Sequence, residues 1–415
     1  MTVRSRSATP LLLAAVSLLA VSLLAFAALC WCRPVPMADA LVYRAEGAAV
    51  LHGGDLYGLT VTKWRLPATY PPFAALLFVP ASGLPVPVLK AVFLTGNVLL
   101  LGCLVHLSAR LAGRPAPLPA LLAATAVALW LEPVSQTLLF GQVNLAVVCL
   151  LLWDLTRPPG ARGKGVAIGL ATGVKLTPAV FVVHLLLRRR FREALTAATA
   201  FAATVLLGAL ALPAASVDYW TRRLYETDRV GKVWIVDNQS LQGLIARALR
   251  DPAPGLCWAL PAAGVAVIGL RLAARTPDDR WGVLLTAVTA LLVSPVSWSH
   301  HWVWCVPLIA VLLADGRLPA ALLTTALFAA RTMWLLPHQG GLDLRLPWWQ
   351  QPLAAPYPLV GLAVLVSAGR RERGAGATGD VHAGPSAGAA GDSPAGPARE
   401  PAQFSARRSS ASRMR

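Results

Sequence analysis

The chain has 415 residues, of which 56% are hydrophobic and 13% charged, with a mean hydropathy of +0.60, a balance that leaves too little polar surface for a soluble domain of this size. The net charge of +18 comes without a zinc finger, RNP-like stretch or aromatic–basic platform, so nucleic acid is not an expected partner. Apolar runs of about 20 residues, unbroken by period-two alternation, exclude a β-barrel and predict an all-α polytopic membrane protein.

In chain order, spanning helices are expected near 10–30, 87–109, 117–132, 142–156, 192–213, 256–275, 280–297, 302–314, 317–336 and 353–369. The first resembles a signal peptide, but its apolar core is long and Leu29 precedes Cys30, so a retained helix is expected. Arg110/Arg114, Arg157/Arg162/Lys164, Arg188/Arg189/Arg190/Arg192, Arg275/Arg280, Arg317 and Arg370/Arg371/Arg373 separate the runs. Placed together in the cytoplasm, they put both termini inside. Two stretches fit less simply. YPPFAALLFVPASGLP (70–85) is short and proline-bounded, and is expected to dip into or lie along the outer leaflet. GKGVAIGLATGVKLTPAVFVVHLLL (163–187) has basic residues at both ends and predicts a re-entrant hairpin broken near Lys175–Pro178, with a single span against the charge rule as the alternative. Residues 31–71 and 214–254 become long outer loops, and the Gly/Ala/Ser/Pro/Arg-rich segment 370–415 a disordered cytoplasmic tail. The six cysteines are scattered without ligand or disulfide spacing.

Polar chemistry concentrates in the outer segments. Asp39 emerges just after the first apolar run, where desolvation would strengthen it as a base; an N-cap for a helix over 40–51 explains it equally well. Asp55, in GGDLYG, reads as a turn residue. Arg222, Arg223, Arg229 and Lys232 share a loop with Asp218, Glu226, Asp228 and Asp237, which is either a solvated mixed-charge surface or a source of cations for an anionic ligand. Asn238–Ser240 matches a glycosylation sequon, discounted here because the composition reads as that of a GC-rich bacterium. Lys175 is an ionisable group at membrane depth, functional by default unless it snorkels. Gly165, Gly169 and Gly173 suit close helix packing rather than a nucleotide loop. In SPVSWSHHWVW (294–304), His300 and His301 either anchor an interface or, at the start of a helix, bind phosphate.

Several phrases, in order, resemble glycosyltransferase family 87: DALVYRAEGAAVLHGGDLYG…LPATYPPFAALL, GLATGVKLTPAVF, YWTRRLYETDRVG…DNQSLQG and SPVSWSHHWVW. The resemblance covers roughly residues 36–305. It implies a GT-C membrane fold of about 10 spanning helices plus re-entrant and short helices, forming one catalytic domain over 1–369. It also implies a plasma-membrane mannosyltransferase that uses polyprenyl-phosphate-mannose on the extracytoplasmic face. The acceptor would be a cell-envelope glycolipid or mannan, joined by an α-1,2 linkage with inversion and without a cofactor. Asp39 matches the family's first-loop acid and would be the base. His300, His301, Arg229 and Lys175 would meet the donor phosphate, and Tyr43, Arg44, Tyr70, Asn238 and Gln239 would contact sugar. Ala40, after the acid, is smaller than the family pattern. No metal site is indicated. The competing class is a lipid or solute transporter or flippase, which would concentrate ionisable groups in mid-membrane and repeat its halves.

Overall fold

A computed structural model describes residues 8–33 and 35–381. Contacts divide the chain into a unit Met1–Glu372 and a second unit Arg373–Arg415; beyond residue 381 the expected tail lies outside the described residues. The fold is almost wholly helical: α1 (Ala8–Cys32), α2 (Ala38–His52), α3 (Pro72–Ser82), α4 (Val86–Leu111), α5 (Leu118–Ala128), α6 (Glu132–Phe140), α7 (Asn144–Leu155), α8 (Val166–Val174) and α9 (Val180–Leu187) lead into α10 (Phe191–Ala211), α11 (Pro213–Thr221), α12 (Leu241–Leu249), α13 (Leu256–Arg275), α14 (Asp279–Val293), α15 (Cys305–Ala314), α16 (Leu318–Ala330), α17 (Gln351–Ala354) and α18 (Pro356–Val381). A two-stranded antiparallel ribbon, β1 (Thr60–Val61) with β2 (Leu66–Pro67), sits in the first long loop. Prolines in the first turns of α3, α4, α5, α6, α11 and α16 start helices where a missing N–H does no harm.

Among the described residues five helices are long and apolar enough to cross a bilayer, or seven if each of two bent pairs is one span. The ten expected spans resolve differently because several runs contain breaks. Leu118–Ala128 and Glu132–Phe140 meet at 75°, and Trp348–Ala354 and Pro356–Arg373 at 78°. Segments 72–82, 144–155, 177–187 and 299–314 form shorter apolar helices, each too short by itself to cross about 30 Å of hydrocarbon at 1.5 Å per residue without the segments that flank it.

The stretch 163–187 goes in and comes back. α8 runs beside α10 in the same direction, with Gly165 against Glu193, Gly169 against Ala197 and Ala200, and Gly173 against Thr204. A methyl at any of these would meet the neighbouring helix, which is why the glycines recur. The start of α8 is held by the buried carboxylate of Asp154, whose Oδ2 accepts from the backbone of Gly165 (2.8 Å) and Ala167 (3.1 Å), a favourable charge at a helix N-terminus. Lys175 then turns the chain into extended backbone (φ −146°, ψ 127°), and α9 returns to Arg188, which bonds Asp279 and the carbonyl of Ala274. Lys175 is therefore the tip of a helical hairpin.

The bundle has two chemically different ends. α7 starts at Asn144 and ends near Arg157, while α14 starts at Asp279–Arg280 and ends toward Ser294. α4 has Lys90 near its start and Arg110 near its end. Arg110, Arg157, Arg188, Arg190 and Arg280 lie at one end, and Lys175, Asn144 and 294–301 at the other. The main apolar core lies between, centred on α4, α7, α14 and α15.

Candidate active site

Asp39 occupies the second position of α2, and its side chain does not cap the helix; the residue before the helix is Met37, in a left-handed conformation (φ 43°). That conformation is strained for a residue with a side chain. It is held by burial of Met37 and by its N–H donating to Leu139 O at 2.9 Å. The small Ala40 explains itself here: it is fully buried beneath Gly141, where any Cβ would collide with Ala40 and Met37. Gly141 (φ 69°) ends α6 in the left-handed region and so delivers Gln142 beside α2.

Gln142 organises the acid's surroundings. Its Oε1 accepts from both Tyr43 and Tyr70 hydroxyls at 3.0 Å, which turns its amide donors away from the tyrosines. The Gln142 side chain then supports the Asp39 carboxylate. Tyr43 stacks on Phe78 with centroids 4.2 Å apart and on Tyr70 at 5.7 Å, so both phenols are held by packing as well as by hydrogen bonds. Burial raises the Asp39 pKa to about 7; Gln142 and the Lys175 ammonium oppose that rise and Asp237 adds to it. A carboxylate so tuned is half-ionised near neutrality and is a competent proton acceptor there.

Near enough for its charge to act on Asp39 is Lys175, the centre of a polar cluster. Lys175 Nζ donates to Asn144 Oδ1 (2.9 Å), lies 3.0 Å from His301 Nε2, and sits 5.6 Å from the Tyr70 ring centroid. With the ammonium as donor, His301 accepts at Nε2 and carries its proton on Nδ1. Asn144 Nδ2 and Thr137 Oγ1 both bond His300 O, at 2.9 and 3.2 Å, which fixes the turn carrying both imidazoles. His300 is only 4% exposed, yet neither ring nitrogen has a partner among the described residues, and the Ser297 hydroxyl is likewise buried and unpartnered. Such groups are expensive to leave unpaired. Lys175, His301, Asn144 and Ser297 line one end of a cleft of about 540 Å³ whose remaining wall, including Val148, Leu151, Phe181 and Leu291, is mostly apolar.

The other residues singled out from sequence fall elsewhere. Arg229 donates to Tyr57 O at 2.8 Å, and the Tyr57 hydroxyl donates to Tyr70 O at 2.8 Å. Arg229 thus braces the tyrosine wall, with Glu226 3.7 Å away. Arg44 lies about 100° around α2 from Tyr43 and donates to Leu84 O at 3.0 Å, tying α2 to the end of α3. Asn238 and Gln239 are 0% exposed and bond main chain in place of sugar hydroxyls. Asn238 Nδ2 donates to Val233 O and Pro295 O, and its Oδ1 accepts from Ser297 N. Gln239 Nε2 donates to Val236 O and Ala354 O, and its Oε1 accepts from Tyr357 N. Fully buried Arg247 donates to the carbonyls of Ile235, Asn238 and Ala354. The sequon at Asn238 is closed to any glycan in the folded chain.

Two more acids lie at the site, Asp237, named from sequence only as one charge of a mixed loop, and Glu46, not named at all. Asp237, which accepts from Ser299 N at 3.1 Å, has its pKa raised by burial and is close enough to raise that of Asp39. Glu46, two turns beyond Asp39 on α2, is 2% exposed with both oxygens unpartnered among the described residues; burial, then Asp39, pushes its pKa to about 8. The spacing Asp39–Tyr43–Glu46 along one helix face was the available signal. Asp55 is a turn residue, accepting from Tyr57 N and Gly58 N, and Arg222 and Arg223 are paired with Glu226 and Asp218.

Similarity to known proteins accords with this arrangement. The family model described as glycosyltransferase family 87 matches residues 68–295, which include Tyr70, Gln142, Asn144, Lys175 and Asp237. A polyprenol-phosphate-mannose-dependent alpha-(1-2)-phosphatidylinositol mannoside mannosyltransferase of Mycobacterium tuberculosis is 35% identical over 360 residues, covering 80% of this chain and 84% of that protein. Its namesake from Mycolicibacterium smegmatis is 34% identical, covering 83% and 86%. A phosphatidylinositol pentamannoside mannosyltransferase of Mycobacterium tuberculosis is 37% identical, covering 67% and 66%. No solved structure matches the chain. With apolar helices of membrane-spanning length, the chain belongs to glycosyltransferase family 87 and is a membrane glycosyltransferase.

Proposed function

We propose that this protein transfers mannose from polyprenyl-phosphate-mannose to a phosphatidylinositol mannoside or related mannan acceptor, forming an α-1,2 linkage with inversion. The observation that carries the reading is the Lys175–His301 cluster at the polar end of a mostly apolar cleft, with the buried Asp39 carboxyl near enough to feel the Lys175 charge. Apolar walls suit a prenyl chain, and an ammonium with imidazoles suits the phosphate that ends it. The names of the relatives point to the same donor and acceptor class.

In this reading Asp39 takes the proton from the acceptor hydroxyl as its oxygen bonds the mannose anomeric carbon. The bond from that carbon to the phosphate oxygen breaks in the same displacement, and polyprenyl phosphate leaves. One carboxylate suffices for a direct inversion. The charge growing on the leaving phosphate is met by Lys175 and His301, with the open nitrogens of His300 beside them. Tyr43 and Tyr70 hold Gln142, and Gln142 and Asp237 tune the base. Arg229, Asn238 and Gln239 act through the walls they brace. No cofactor beyond the lipid-linked donor is called for.

The same reading takes residues 1–369 as one GT-C domain of about ten membrane crossings, with short and broken helices making up the number. The clusters Arg110/Arg114, Arg157/Arg162/Lys164 and Arg188–Arg190 with Arg280 lie at the end away from the site, which favours a plasma-membrane orientation with both termini cytoplasmic and the site outside. The test is transfer by the purified full chain from polyprenyl-phosphate-mannose to a panel of phosphatidylinositol mannosides, with linkage analysis of the product. An α-1,2-mannosylated product supports the reading. Absence of transfer to every mannoside, with donor bound, would overturn it.

A further inference from the structure

The helices that meet at the candidate site also enclose a second polar cleft at their far ends. About 520 Å³ of space is lined by Arg110 at the end of α4, Thr156 after α7, His184 on α9, Arg190 before α10, and Asp279 and Arg280 at the start of α14. This cleft is separated from Lys175 by the length of the α8–α9 hairpin, roughly 12 Å or more of helix, and shares no lining residue with the first.

Its charges do not balance. Asp279 is bonded by both Arg188 and Arg190, and Arg280 is paired with Asp278 (2.6 Å) and Asp315 (3.0 Å). Four guanidiniums against three carboxylates leave one positive charge. The cation left over is Arg110, which is exposed and has no hydrogen-bond or ion-pair partner among the described residues. His184 is held through Nδ1 by Thr286 Oγ1 at 2.8 Å, so its ring orientation is fixed rather than free to seek another ligand. Leu111, Leu155 and Val283 give the cleft an apolar floor. α4, with 26 residues, is about 39 Å long and overshoots the ~30 Å hydrocarbon thickness. Arg110, near its end, therefore stands at headgroup level.

We propose that this cleft seats the phosphate of an anionic membrane phospholipid. A phosphodiester carries the single negative charge that the cluster lacks, guanidiniums grip it through forked N–H donors, and the apolar floor receives the adjoining glycerol and acyl carbons. Basic pockets between helices at this level are suited to phospholipid headgroups. Inorganic phosphate would satisfy the guanidiniums but not the floor, and this difference separates the two sources.

The experiment uses the full chain in detergent with added phosphatidylglycerol or phosphatidylcholine, and reads retained lipid by native mass spectrometry with and without inorganic phosphate. Wild type should retain phosphatidylglycerol over phosphatidylcholine. Arg110→Gln should lower that preference by about five-fold, while Arg110→Lys keeps most of it. Arg114→Gln, a neighbouring exposed arginine outside the lining, should leave it unchanged. Equal loss in Arg110→Gln and Arg114→Gln would mean bulk surface charge and would overturn the proposal, as would no loss in either. Displacement of the lipid by inorganic phosphate at matched concentration would make the site one for a free anion and would equally overturn it.

Discussion

Two buried polar clusters lie side by side in this molecule and treat their hydrogen-bonding capacity in opposite ways. In the segment Asp237–Ser240, the side-chain amides of Asn238 and Gln239 are matched by main-chain groups, and Arg247 ties down the surrounding carbonyls. Around His300 and His301, the main chain is equally well fixed, yet ring nitrogens of His300 and the Ser297 hydroxyl remain open. The Asn238 Oδ1 bond to Ser297 N joins the two. Burial alone therefore does not mark a ligand site; burial with unmet capacity is what makes the second cluster the candidate. The first cluster is a scaffold, and the second is what it holds in place.

That contrast can be broken by mutation. Lys175→Met removes the ammonium from the open cluster and should lower transfer by about 10²–10³-fold, the loss typical of a donor that meets transition-state charge; a rate within threefold of wild type would remove Lys175 from the chemistry. Gln239→Leu leaves Val236 O and Tyr357 N unmatched and Ala354 O with Arg247 alone, and should cost about 1–3 kcal/mol of stability, read as earlier thermal inactivation. The protein that stays folded should keep its donor KM, and a KM change without loss of stability would put Gln239 in the binding site after all. A further expectation concerns pH. Since burial lifts Asp39 to about 7 and only its ionised form accepts a proton, transfer should rise with pH through about 7, falling tenfold per unit well below it. A flat profile from pH 5 to 8 would contradict that placement of the base.

Long apolar runs revealed α1, α4, α10 and α13 in the sequence because their few charged residues leave the hydrophobic stretch long enough to span, and Lys175–Pro178 announced its own break by charge and proline. The 75° bend between α5 and α6 was harder to see, since Leu129–Leu131 continue the apolar pattern straight through it. Asp39, Lys175 and the histidines stood out as ionisable groups in apolar surroundings. Gln142 and Asn144 did not, because a lone amide in a short turn carries no periodic signal and its importance comes from tyrosines and histidines far away in sequence. Arg44 and Tyr43 look equally eligible as neighbours, but one helical step sends them to different faces. For Asn238 and Gln239 the sequence shows polarity and hides the partners, all of which are backbone. The family's presence argues for a transferase over the transporter reading.

The central claim is that Asp39 is the base. Transfer from polyprenyl-phosphate-mannose by Asp39→Asn, measured beside wild type with donor binding in the same preparation, tests it most directly. Turnover should fall by at least about 10²-fold with donor affinity nearly unchanged. Wild-type turnover by the asparagine variant would contradict it.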